Sequence, residues 1–275
     1  MEWMGWAAAR SAVIIAVAAG VLSACGGGKS SPAPETGSGL SQAAAITDQD
    51  AHRFLVQASF GATPSTTASV KALGYAGWID NQFDTIAPAS HLATADVSAT
   101  RLRADQARFQ DIPYTWWTQA VTDPAQMRQR MAYALSQIFV VSTVDSTLSD
   151  NARLVASYMD MLVLRSSGTY RELLEAVTLH PAMGVYLSSM QNRKEDATSG
   201  RIPDENFARE VMQLFSIGLH ELNADGSLKL DAGGRSIDTY DASDIEGLSA
   251  VFTGFSYGGA DTSTQRFYNQ EGYRD

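Results

Sequence analysis

Between Pro203 and Gly218 the sequence reads Pro-Asp-Glu-Asn-Phe-Ala-Arg-Glu-Val-Met-Gln-Leu-Phe-Ser-Ile-Gly, and its polar residues fall in rows. Glu205 and Arg209 are four apart with the acid first, the order in which a helix pairs them. Asn206 and Glu210 are also four apart, and Gln213 lies a turn further on. The spacing predicts a helix over 203–218 with Phe207, Val211, Leu214 and Phe215 as its apolar stripe. Two chemistries are open to such rows. In the first, Asn192, Glu205, Asn206, Arg209 and Glu210 line a pocket, with His180 near it. Glu210 is then a general base, Arg209 holds an anionic substrate or a developing charge, and the polar loop 191–202 covers the site. In the second, the rows form a charge-compensated network that fixes which helices pair without adding stability. Geometry separates the two. A structural network satisfies every polar atom, whereas a site leaves some of them facing a cleft.

No nucleophile elbow, paired-acid motif or metal signature accompanies the row. The four histidines are scattered with no His-x-x-x-His string, so the sequence implies no metal and no cofactor. Asn223-x-Asp225-Gly226 has the start of a calcium loop but lacks the later ligand positions, and reads as a turn. His180-Pro181 reads as the end of one helix and the start of the next. His220 lies just past Gly218, where a protonated imidazole favours a helix C-terminus.

A second residue with chemistry of its own is Cys25, the only cysteine in the chain. It follows Leu22-Ser23-Ala24, with an apolar run from Ser11 to Leu22 and Arg10 before that. A bilayer span needs about 20 apolar residues, so this shorter run fits the apolar region of a signal peptide. Leu22-Ser23-Ala24-Cys25 is similar to a bacterial lipobox, in which the cysteine thiol receives a diacylglyceryl group. Residues 1–24 are therefore expected to be a lipoprotein signal peptide, and Cys25 the anchor, carrying acyl chains of the palmitate type. An ordinary signal peptide with an incidental cysteine is the alternative. Gly26 rather than Asp after the cysteine resembles an outer-membrane address. Residues 25–47 are rich in Gly, Ser, Pro, Ala and Thr, and read as a flexible tether with a typical reach of roughly 25 Å.

The body that follows must position the row. The net charge of -10 and pI near 4.8 disfavour phosphate backbones, and no basic stripe with interleaved aromatics is present, so nucleic acid is not an expected partner. From Asp48 onward the punctuation is that of successive helices. Thr47 or Asp48 caps the first and Gly61 closes it; Thr63-Pro64 opens the second, which ends at Leu73-Gly74. A polar helix is expected near 96–110. Pro113 introduces Tyr114, Trp116 and Trp117, read as core rather than as a binding platform. After Asp123-Pro124, a stripe of Met127, Met131, Ala134, Leu135, Ile138 and Phe139 predicts a long amphipathic helix. Further helices carry Leu154 to Arg165, Tyr170 to Val177, and Met183 to Met190. The methionines fill gaps in the core. Ser227–Leu230, flanked by Asp225-Gly226 and Gly233-Gly234, suggests a small hairpin, and a last helix begins near Ser243. The expected architecture over 48–275 is all-α, a bundle-like multi-helix domain with a β-hairpin insertion.

The string Arg201-Ile202-Pro203-Asp204-Glu205-Asn206-Phe207-Ala208-Arg209-Glu210-Val211-Met212-Gln213-Leu214-Phe215-Ser216-Ile217-Gly218-Leu219 resembles the signature of the bacterial domain of unknown function 1800 family. Supporting stretches occur in order along the body. They are Arg53-Phe54-Leu55, Arg130-Met131-Ala132 with Ser136-Gln137-Ile138-Phe139, His180 to Leu187, and Phe252-Thr253-Gly254. The resemblance runs from about residue 50 to the end. It implies a large exported bacterial protein and assigns no reaction. Members often carry a second acid where Gln213 stands, so no carboxylate is available there to bind metal or move protons. Members also continue well past Phe252-Thr253-Gly254, which leads to the expectation that this chain lacks a C-terminal part. Function is then read two ways. One is a membrane-anchored structural or assembly protein of the cell surface with a protein partner. The other is an exported enzyme of hydrolase type, or a ligand-binding protein, using the polar face of 203–218.

Overall fold

The computed structural model describes residues 45–101, 108–256 and 267–268. The segments expected to be a signal peptide and, for the most part, a tether, Cys25 included, lie outside the described residues. The body is all-α, with eleven α-helices among the described residues and no regular sheet.

Thr47 caps α1 (Asp48–Ala58), its hydroxyl accepting from the Asp50 amide. Thr63 caps α2 (Pro64–Asp80) through a reciprocal box with Thr66, and Pro64 sits in the first turn. The break expected at Gly74 is present: its φ of 70° interrupts the helix, and a π-helical turn, Asn81–Thr85, continues the chain. Ala51, Leu55, Val70 and Trp78 close a small core between α1 and α2.

The helix α3 (His91–Arg101) starts five residues before the polar segment suggested. The cause is Asp160, whose carboxylate accepts from the amides of His91 (2.6 Å) and Leu92 (3.2 Å) and from the Ser90 hydroxyl (2.6 Å). Ser90 caps the helix locally, its hydroxyl accepting from the Ala93 amide (3.0 Å), and the remote acid takes up the amides that Ser90 leaves open. Next come α4 (Asp111–Thr122), α5 (Gln126–Ser136), the short α6 (Ser146–Asp150) and α7 (Ala152–Arg165). Ala95 and Ala99 of α3 meet Ala152 and Ala156 of α7, and these small residues let the two helices approach closely.

Two sequence readings change here. Helix α5 ends at Ser136, and it buries Gln129 and Ala132 while Ala134 and Ile138 are exposed. The burying side includes a glutamine because Gln129 has polar partners inside, described below. Phe139 is fully buried, but beyond the helix end. The aromatics of α4 are not core: Thr115, Gln119 and Ala120 face inward, while Tyr114 and Trp117 are exposed. Trp116 instead packs against Phe60, Trp117 and Tyr133.

The main core forms around α7, α8 (Tyr170–Leu179), α9 (Pro181–Tyr186) and α10 (Asn206–Gln213), with Phe139, Leu162, Val177, Met183 and Phe207 at its centre. Full burial of each such side chain contributes roughly 1.5–3 kcal/mol. Met183 fills this core and Met161 packs against it, as expected. Helix α11 (Ala242–Val251), capped by Asp241, packs on α10.

The hairpin between α10 and α11 is present and has a third side. Isolated antiparallel bridges join Leu222 to Leu228, Leu230 to Ser236, and His220 to Asp238. Amide to carbonyl, Glu221 bonds Ile237 (2.9 Å), Ile237 bonds Lys229 (3.1 Å), and Lys229 bonds Glu221 (2.9 Å). Three short segments, eight residues apart in sequence, so close into a ring. Turn carboxylates hold the corners: Asp225 accepts from the Ser227 amide, and Asp231 from the amides of Gly233 and Arg235. Asn223-x-Asp225-Gly226 is thus a turn. His220 bonds Asp238 at 2.9 Å across the ring, which is a different partner from the helix terminus suggested by sequence.

Candidate functional site

Helix α10 is shorter than the polar rows suggested, beginning at Asn206 rather than Pro203. Asn192 sets that boundary. Its side-chain amide donates to the Asp204 carbonyl (3.1 Å), and its amide oxygen accepts from the Asp204 N–H (2.9 Å). A two-way clamp on one backbone unit holds 203–205 in loop conformation. Asp204 then accepts from the Asn206 amide at 2.9 Å and starts the helix. The Asn192 carbonyl also accepts from the Gly254 amide (2.8 Å), and Gln191 N–H donates to the Phe255 carbonyl (2.8 Å). One buried asparagine therefore joins the loop before α10 to the segment after α11.

The chain beside Asn192 is conformationally unusual. Ser188 and Gln191 have φ of 62° and 61°, a region that ordinary side chains rarely adopt. Gly184 explains how the turn closes. A Cβ there would stand 3.3 Å from Met190 Cβ, and the Met190 amide donates to the Gly184 carbonyl at 2.8 Å. The glycine in His180-Pro181-Ala182-Met183-Gly184 thus permits a close approach that a Cβ would crowd.

An open groove runs along this turn, lined by Ser188, Met190 to Arg193, and Arg201 to Glu205. The loop 191–202 forms one wall, pinned by mutual backbone bonds between Asp196 and Arg201. Of the residues singled out by sequence, Asn192 and Glu205 reach this groove. Arg209 of α10 pairs at 2.9 Å with Glu205, the residue just before that helix, and both side chains are well exposed. Asn206 is exposed, and neither it, Glu210 nor His180 lines the groove. Glu210 is half-buried, and its Oε2 is enclosed with no hydrogen-bond partner among the described residues.

His180 stands at the junction of α8 and α9. Its Nδ1 accepts from the Ala182 amide (3.2 Å), its Nε2 lies 3.4 Å from Ser157 Oγ, and its ring meets Tyr158 edge-on. Burial pushes its pKa down to about 4, partly opposed by its bond to Ser157. A neutral ring whose Nδ1 accepts a backbone proton is a helix cap.

Sequence reasoning missed a second buried histidine. His91 Nε2 is 3.0 Å from Gln129 Oε1, and Nδ1 is 3.2 Å from the Thr115 hydroxyl. Gln129 donates to the Asp123 carboxylate at 2.7 Å, which turns its carbonyl toward His91 and assigns the ring proton to Nε2. Burial lowers the His91 pKa, opposed by the Gln129 bond and the charges of Asp160 and Asp123. The only sequence signal for this network was a glutamine at a buried position of an otherwise apolar helix side.

A helical body with an asparagine-clamped loop ahead of its signature helix defines an all-α protein whose signature organises backbone. The chain belongs to the family described as Protein of unknown function (DUF1800), whose model it matches over residues 53–275. No curated protein and no solved structure matches it.

The exposed Glu205–Arg209 pair carries a prediction. Pairs of this kind contribute about 0.3–0.5 kcal/mol on a helix surface, so Arg209→Ala shifts the unfolding free energy by less than about 1 kcal/mol in denaturant titration. A loss several times larger would show that Arg209 neutralises a buried acid.

Proposed function

We propose that the protein is an exported bacterial lipoprotein, held in the cell envelope by acyl chains on Cys25, and that its helical body is a structural or assembly protein of the cell surface. Leu22-Ser23-Ala24-Cys25 after an apolar run supports the anchor, and the tether supports a body held near the membrane. The observation that carries the assembly reading is how the signature uses its polar groups. Asn192 holds the backbone of Asp204, Arg209 neutralises Glu205 four residues away, and His180 caps a helix. These groups do not converge on one enclosed space.

Two experiments test the reading. Wild-type cells fed a clickable palmitate analogue label this protein, and Cys25→Ser abolishes the label; equal labelling of both overturns the anchor. Cross-linking of intact cells yields a discrete higher-mass species containing the protein; a chain that remains monomeric under every cross-linker span overturns assembly.

One observation favours the second reading, an exported hydrolase-type enzyme or a ligand-binding protein. It is the enclosed, unpartnered Oε2 of Glu210. Glu210→Gln keeps the size and removes the charge. A lowered melting temperature assigns the carboxylate to the fold, and an unchanged or raised one assigns it to a ligand.

A further inference from the structure

The outer side of α4 has no partner within the described fold and no charge. From Ile112 to Thr122 no residue is ionisable except Tyr114, and the acids at the two helix ends, Asp111 and Asp123, are buried. Tyr114, Trp117 and Val121 stand at i, i+3 and i+7, so they share one face. They are 46%, 64% and 76% exposed, while Thr115, Gln119 and Ala120 fill the inner side. Phe109, just ahead of the helix, is exposed as well. Trp116 turns aside into a cluster with Phe60 and Tyr133, which supports the helix from behind.

We infer that this face of α4 rests on the lipid headgroup region of the membrane to which the body is tethered. The inference rests on the lipid-anchor reading above. Three features select a lipid surface as the occupant. Trp and Tyr, with an apolar body and a polar tip, favour the boundary between headgroups and acyl chains. The chain as a whole carries a net charge of -10, so anionic headgroups repel most of its surface, and an uncharged side is the one suited to approach. A tether with a reach of roughly 25 Å keeps the body at high local concentration beside the bilayer, where a small apolar face suffices for contact. The interaction is interfacial, with α4 lying in the plane of the surface. At twelve residues the helix is too short to span the bilayer.

The test uses the full acylated protein in vesicles of uncharged phosphatidylethanolamine and phosphatidylcholine, with and without brominated acyl chains. Trp117 emission is taken as the difference between wild type and Trp117→Phe. The account expects brominated lipid to quench Trp117 and the vesicle to shield it from acrylamide. It expects Tyr114→Ser with Val121→Ser to reduce lipid quenching by roughly half or more, while the protein still pellets with the vesicles. Both replaced residues are exposed, and unchanged melting confirms the fold.

Pelleting with Trp117 open to acrylamide and untouched by brominated lipid overturns the inference and leaves the anchor standing. Shielding of Trp117 without vesicles overturns it in favour of a second copy, seen as a dimer by light scattering. Shielding by a soluble envelope polysaccharide in place of lipid also overturns it. Loss of pelleting in the wild type overturns the anchor itself.

Discussion

Asn192→Ala lowers the free energy of unfolding by about 2–3 kcal/mol, read from the midpoint shift in urea at constant slope. The replacement removes both bonds to the Asp204 backbone, at 3.1 and 2.9 Å, and leaves a part-buried donor and acceptor without their protein partners. The loss also frees 203–205 from loop conformation. Asp204 then no longer presents its carboxylate to the Asn206 amide, and the start of α10 frays. Asn192→Asp separates the two halves of the clamp: its carboxylate still accepts from the Asp204 N–H but faces the Asp204 carbonyl without a proton to donate. It therefore destabilises at neutral pH and recovers as pH falls through the carboxylate range. An Asn192→Ala variant as stable as wild type, yet deficient in a binding activity, would move Asn192 from the fold to a site.

Acidification from about pH 6.5 to about 4 lowers the melting temperature, and the buried histidines account for it. The sign follows from the direction of the shifts. Burial depresses the pKa of His180 to about 4, below the ordinary imidazole value. The pKa of His91 is depressed by the same cause. Above the ordinary value both states are neutral and stability is at its full level. Below it the unfolded chain binds protons that the folded chain refuses, and stability falls until the folded pKa is passed. For His180 the loss is at most about 3 kcal/mol, reduced by whatever solvent reaches the ring. His180→Asn, whose side-chain oxygen can accept the Ala182 amide, keeps the cap and flattens this part of the profile. Differential scanning calorimetry between pH 7 and pH 4 checks both statements. A profile identical in His180→Asn and wild type would assign the acid sensitivity elsewhere.

Much of the helical order was legible because it is written in local punctuation. Thr47, Thr63-Pro64, Gly74 and His180-Pro181 act on residues within one turn, so a reader of sequence meets cause and effect together. What escaped notice depends on distant partners. The start of α3 takes Asp160, some seventy residues away, in addition to its local cap Ser90, and the inward turn of Gln129 is set by His91 and Asp123. The exposure of Tyr114 and Trp117 could not be read from residue type, because aromatic side chains suit both interior and boundary.

The row of the signature helix was legible as a pattern and ambiguous as chemistry. Four-residue spacing placed Glu205 beside Arg209, as found. The same spacing could not show that Asn192 would take the backbone of Asp204, or that Glu210 and His180 would stand away from the groove. The ring between α10 and α11 was visible as one hairpin. Its third side joins His220 to Asp238 across eighteen residues, a separation at which turn residues no longer indicate pairing.

The central claim is that an assembly protein is fixed to the envelope through Cys25, and the mass of its N-terminal peptide tests this most directly. The protein is extracted from membranes with mild detergent, digested, and its first peptide sequenced by mass spectrometry. The account predicts that the peptide begins at Cys25 and carries acyl chains on that residue. A first peptide that includes residues ahead of an unmodified Cys25, or one that begins elsewhere, would contradict it.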